Sequence, residues 1–122
     1  MRLALDIGGT DIKCATVTED GQIAASGSFP SNPKLESEEF LSMVVNGARD
    51  FLAEHPGAVT IVGAGMAGFI DASKGIIHES PNLPKVKNLE LGKALTDGLE
   101  LLAYVDNDAT AAAWGEYMFG GH

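Results

Sequence analysis

The sequence is short of positive charge. Eight Lys and Arg stand against seventeen Asp and Glu in 122 residues, a formal net charge of −9. No run of basic residues occurs, which argues against a surface made for nucleic-acid phosphates. A polyanionic ligand would have to be held by backbone amides, helix ends or a metal ion. Cysteine is nearly absent: Cys14 stands alone, so no intramolecular disulfide can form, as expected in a reducing compartment. It reads as a small apolar strand residue, with a reactive thiol as the alternative. The histidines, His55, His78 and His122, are scattered and lack zinc-ligand spacing. No apolar run approaches the roughly 20 residues of a membrane span. The opening apolar stretch meets Asp6 too soon for a secretory leader. A soluble, cytoplasmic chain without nucleic-acid or membrane partners is the expectation.

Hydrophobic residues make up 45% of the chain, enough to bury the core of one domain. Residues 2–7 read as a buried strand ending at Gly8-Gly9-Thr10. Residues 12–18 and 22–29 read as two more strands, joined at Asp20-Gly21, and the three predict an antiparallel meander. Ser37 can cap a helix whose apolar face is Phe40, Leu41, Val44, Val45, Ala48, Phe51 and Leu52. Pro56-Gly57 ends it. A fourth strand is expected over 59–63 and a small hairpin over 70–79. A stiff loop follows at 81–84, then a short helix at 89–99, a fifth strand at 101–105 and a last helix at 109–119. The order βββαβ(α)βα predicts an α/β fold with a mixed five-stranded sheet covered by helices.

Gly63, Gly65 and Gly68 match G-x-G-x-x-G after an apolar strand, the dinucleotide-binding pattern. That motif needs a helix directly afterwards. Here Gly75, Pro81 and Pro84 follow, and the acidic residue expected about 20 positions on, at a second strand's end, lacks a convincing candidate. A dinucleotide-binding module is therefore the weakest functional alternative. The glycines are expected to let the backbone pass close to a ligand or another strand.

Asp6-Ile7-Gly8-Gly9-Thr10 carries a different signal. Paired glycines permit positive φ, and the turn's amides, with the Thr10 hydroxyl, can point into one concavity and bind phosphate. Asp6 is placed to hold Mg²⁺ directly or through water. Lys13 either reaches the phosphates or points to solvent. The absence of Gly-Lys-Ser/Thr excludes a Walker loop, and an ordinary hairpin turn accounts for the same residues. At Asp106-Asn107-Asp108 two carboxylates flank an amide at a helix start. Either Asn107 or Asp108 is an N-cap, or Asp108 is a general base aligning a hydroxyl with a γ-phosphate, with Asn107 on adjacent hydroxyls. Asn82, between Pro81 and Leu83-Pro84, is a turn asparagine or a stiffly held hydroxyl ligand. Glu116 reads as a solvated or lobe-contact residue.

Together LALDIGGT (3–10), GAGMAGFID (63–71), ESPNLP (79–84) and VDNDATAAAWGE (105–116) resemble the ROK family of sugar kinases, glucokinases and sugar-responsive repressors. The resemblance implies a ribonuclease H-like, actin-like ATPase fold with ATP and sugar between two lobes. Residues 1–122 would form the N-terminal lobe, with the C-terminal lobe absent. It implies that Asp6 to Thr10 bind phosphate, that Asp108 is the catalytic base, that Asn82 and Asn107 bind sugar hydroxyls, and that Gly68 meets the sugar through its backbone. The expected cofactors are ATP and Mg²⁺, with Zn²⁺ confined to the second lobe. The expected acceptor is a hexose or amino-hexose, the full-length protein a homo-oligomer, and the isolated lobe inactive. The alternative is a non-catalytic, repressor-like sugar sensor, disfavoured because only five residues precede Asp6 and because Asp108 is present. The chain departs from the family pattern at Met66-Ala67-Gly68, where proline is common. Asp11 stands where lysine or asparagine is frequent, and Asp106 where glutamate is usual.

Overall fold

The computed structural model describes residues 1–114; the expected helical stretch 115–119, Glu116 and His122 lie outside the described residues. Three strands open the chain: β1 (Arg2–Ile7), β2 (Asp11–Val17) and β3 (Ile23–Pro30). They pair antiparallel in sequence order, as the alternation and the turn at Asp20-Gly21 predict. Gly21 takes φ +88, the left-handed conformation that an L side chain resists. Helix α1 (Ser37–Glu54) follows, then β4 (Ile61–Met66), a separate hairpin of β5 (Phe69–Asp71) and β6 (Ile76–Glu79), helix α2 (Leu91–Leu99), β7 (Leu102–Asp106) and helix α3 (Ala109–Trp114). The main sheet runs β3-β2-β1-β4-β7, with β4 parallel to both β1 and β7. The sheet is mixed and five-stranded, as expected.

Strand alternation divides the side chains between two layers. Leu3, Leu5, Ile7, Ile12, Cys14, Val62, Ala64, Met66 and Val105 join one buried cluster with Phe40, Val44, Ala48 and Phe51 of α1 and Leu91 and Leu95 of α2. The helical periodicity of α1 therefore reads correctly: the four buried positions recur at three- and four-residue intervals. Ser37 does not act as the expected cap. The N-cap position is Glu36, without a side-chain bond. The Ser37 hydroxyl instead donates to the Lys87 carbonyl and accepts from the Lys87 amide, both at 3.2 Å. It fastens the start of α1 to the loop that carries Asn82.

Helix α3 packs on the opposite face, against β4 and β1. The expectation for Gly63 and Gly65 is corrected here. A Cβ on Gly63 would lie 2.0 Å from the Ala113 amide nitrogen, and one on Gly65 2.2 Å from that of Ala109. The two glycines admit a helix backbone, neither a ligand nor another strand. β4 also runs three residues beyond its expected end and feeds the β5–β6 hairpin, not a helix, so the dinucleotide-binding geometry is missing.

Cys14 is buried on β2, and burial pushes its thiol from the ordinary 9.0 up to about 11. The unfolded chain then ionises first, so this group's contribution to stability is complete below pH 9 and lost as pH rises from about 9 to about 11. We expect negligible alkylation of Cys14 by iodoacetamide at pH 8 in the folded protein and complete alkylation in denaturant, read by mass spectrometry. Fast native labelling would contradict a buried, inert thiol.

Candidate functional site

Parallel pairing aligns the carboxyl ends of β1, β4 and β7 along one edge of the sheet. Asp6 is in register with Gly65, and Gly65 with Asp106. Two interstrand spacings therefore separate the Asp6 and Asp106 backbones, roughly 10 Å. Open α/β sheets bind ligands beyond the carboxyl ends of their strands. Three connections leave this edge: Gly8 to Thr10 after β1, Ala67-Gly68 after β4, and Asn107-Asp108 after β7.

The tertiary fold ties these connections together. The Asn107 side-chain amide donates to the Gly68 carbonyl at 2.9 Å. Gly68 has φ +152, and a Cβ there would meet the Glu79 carbonyl oxygen at 2.2 Å, so residues 79–80 press against the same point. A Cβ on Gly9 would lie 3.2 Å from the Asn82 carbonyl oxygen. The stiff loop thus sits on the glycine turn at one end and borders Gly68 at the other. Asn82, Gly68, Asn107 and the turn, which the sequence singles out separately, are brought next to one another.

The turn works differently from its expectation. Neither Gly8 nor Gly9 adopts positive φ. The Gly8 amide donates to the Asp11 carbonyl at 3.0 Å and closes the hairpin, so it is spent inside the protein. Gly8 serves by its lack of a side chain, since a Cβ would crowd that same carbonyl at 3.0 Å. Among the described residues, the amides of Gly9 and Thr10 meet no protein acceptor. These two, with the exposed Thr10 hydroxyl, remain for an anion.

Lys13 is exposed and lies directly across from Asp6 in the β1–β2 ladder. Both residues, with Asp11 and Ala109, line a recess of about 520 Å³. Asp6 is exposed at the carboxyl end of β1. Among the described residues no three His, Cys, Asp or Glu side chains cluster as a metal cage. One open carboxylate fits an ion such as Mg²⁺, which keeps several waters and shares its charge with phosphates.

Asp108 is exposed and immediately precedes α3; its carbonyl accepts the Ala112 amide at 3.0 Å. Asp106 is half-buried and accepts the Asn107 amide at 2.6 Å. A backbone bond seats the helix start, and the Asp108 side chain lies at the surface beside Asn107. The Asn82 side chain is exposed and makes no bond to a described residue, so the expected asparagine turn does not form. The loop is closed instead by the Leu83 amide on the Ser80 carbonyl. Phe69 and Ser80 also border Gly68; both lie inside motifs already noted, and nothing local separates them from ordinary strand and loop residues.

The family model described as "ROK family" matches residues 2–122. The chain is 33% identical to a glucokinase of Streptomyces coelicolor over 122 residues, covering 99% of this chain and 37% of that protein. It is 33% identical to an N-acetylmannosamine kinase of Escherichia coli over 123 residues, covering 95% and 38%. The fold superposes on a ROK family glucokinase from Streptomyces griseus in complex with glucose and AMPPNP, with a TM-score of 0.75, 32% identity, and 99% and 38% coverage. The chain thus spans well under half the length of these proteins.

Proposed function

The chain belongs to the ROK family, and from that premise we propose that it is the N-terminal lobe of a two-lobe sugar kinase. The reaction is transfer of the γ-phosphoryl of Mg-ATP to a hydroxyl of a hexose or amino-hexose. What supports this reading above all is how the connections meet at one sheet edge: the Asn107 amide on the Gly68 carbonyl and Asn82 against Gly9, with Asp108 next in sequence to Asn107.

In this reading Asn82 and Asn107 bind sugar hydroxyls and the Gly68 backbone borders the ring. Asn107 spends one of its two N–H donors on Gly68 and keeps the other, with its carbonyl, for substrate. The Asp108 carboxylate accepts the hydroxyl proton as the oxygen–phosphorus bond forms and the bond to the β-phosphate oxygen breaks, with ADP as leaving group. The Gly9 and Thr10 amides steady phosphate oxygens, and Lys13 reaches them from β2. Asp6 would hold Mg²⁺ through water; the ion neutralises phosphate charge at an edge otherwise crowded by Asp6, Asp11, Asp106 and Asp108.

A coupled ADP-release assay over a panel of hexoses and amino-hexoses tests this. The whole protein that contains these residues is expected to phosphorylate at least one of them, and residues 1–122 alone to show negligible turnover. Robust activity from 122 residues would overturn the two-lobe reading. Sugar binding without turnover in the whole protein would favour the sensor instead.

A further inference from the structure

The two edge strands of the main sheet differ. β7 is five residues long and ends on Asp106, whereas β3 runs for eight residues, Ile23–Pro30, without a charged side chain. Among the described residues no strand pairs with the outer side of β3. A long, uncharged, uncovered edge is a template for another strand. We infer that β3 is a docking edge for a second copy of this chain. The two β3 strands pair antiparallel about a twofold axis at Gly27 and join two five-stranded sheets into one.

Backbone phase decides which groups are free. The Asp11 carbonyl faces β1, where it accepts the Gly8 amide, and the Thr10 carbonyl faces the other way, where it accepts the Ser31 amide. Strand groups alternate in direction, so Ile12, Cys14 and Thr16 bond to their partners Phe29, Gly27 and Ala25. Ser26 and Ser28 therefore turn both N–H and C=O away from the sheet, and both residues are exposed. The register shift lies at the Thr16/Val17 end, so the stretch from Ala25 to Phe29 is regular. With the axis at Gly27, Ser26 of one copy faces Ser28 of the other, and each such pair exchanges both of its N–H···O bonds.

A second copy fits this edge better than a foreign strand does. The segment Ala25-Ser26-Gly27-Ser28-Phe29, read against itself about Gly27, sets serine on serine, glycine on glycine and large Phe29 beside small Ala25, the self-match an isologous contact needs. The chain carries a net charge of −9, so two copies repel over most of their surface. β3 is a strip where they meet without that repulsion. Ile23, 68% exposed, adds apolar surface to the same strand. The strand is also held before docking. Phe29 lies against Gly47 of α1, where a Cβ would not fit, and a Cβ on Gly27 would lie 3.2 Å from the Phe51 ring. An edge already fixed on α1 loses little freedom when it pairs.

A strand pair alone covers less than a standard interface, so association should depend on concentration. Light scattering on the whole protein that contains these residues, at the top of a concentration series, should give about twice the mass of its Ser28→Pro variant. Proline there deletes an outward N–H and no bond within the sheet, so the variant should fold. Gly27→Cys is the independent arm, and it serves even if Ser28→Pro does not fold. Residues facing each other at a non-bonded antiparallel position lie about 4.5 Å apart at Cα, within disulfide reach. Mild oxidation should therefore link two copies through residue 27, while buried Cys14 stays unlinked. In the wild-type protein, amide exchange over residues 23–30 should slow about tenfold or more from low to high concentration. Equal masses for wild type and Ser28→Pro, with no link in Gly27→Cys and exchange independent of concentration, would overturn the inference. None of these readouts depends on turnover, so the kinase reading stands or falls separately.

Discussion

Asp108→Asn is expected to lower kcat for sugar phosphorylation in the whole protein by roughly a hundredfold to ten-thousandfold, the range general-base catalysis supplies. Asparagine keeps the shape and a carbonyl acceptor but cannot take the proton. KM for sugar and ATP should change far less, because the lost interaction belongs to the transition state. The side chain is exposed and asparagine is as well suited as aspartate to a helix start, so thermal stability should stay near wild type. Steady-state kinetics with a melting curve on the same sample separates the two effects. Retention of more than a tenth of wild-type kcat would remove Asp108 from the role of base.

The second large effect is on stability. Gly65→Ala should destabilise the protein by about 3 kcal/mol or more, at the upper end of what overpacking costs. The added Cβ would meet backbone, the Ala109 nitrogen at 2.2 Å and its Cα at 2.6 Å. A backbone at a helix start cannot step aside as a side chain does, so α3 must lift from β4 and carry Asp108 with it. Gly27→Ala is the matched comparison. Its Cβ would lie 3.2 Å from the edge of the Phe51 ring, which can shift by a few tenths of an ångström, and the loss should be much smaller. Urea unfolding of both variants measures this through the midpoint at unchanged slope. A Gly65→Ala midpoint equal to wild type would contradict the close seat of α3 described here. A selective loss of activity in Gly65→Ala beyond its loss of stability is also expected, because the strand and the helix start share the edge proposed to receive the ligands.

Local patterns carried much of the fold. The meander follows from three alternating runs and Asp20-Gly21, and the core stripe of α1 from Phe40, Val44, Ala48 and Phe51. These features depend on near neighbours and on the periods of strand and helix, both written in residue order. The same order misjudged Ser37, whose helix-start position is real but whose hydroxyl is taken by Lys87, fifty residues away. It also misassigned Gly63 and Gly65, because a close-approach glycine does not say what approaches.

Residue order by itself determined the elements, their sequence, the glycine turn after β1 and the acidic start of α3, since each rests on intrinsic backbone and side-chain preferences. Only the tertiary structure decided that the Gly8 amide is spent on Asp11 while those of Gly9 and Thr10 are not. It alone set Asn82 on Gly9 and joined Asn107 to Gly68 across 39 residues. The physical reason is that parallel strands are not paired by any local turn. Which chain ends meet at one edge is settled by burying the two faces of the sheet together, and the contacts that shape a ligand's surroundings exist only after that packing is complete.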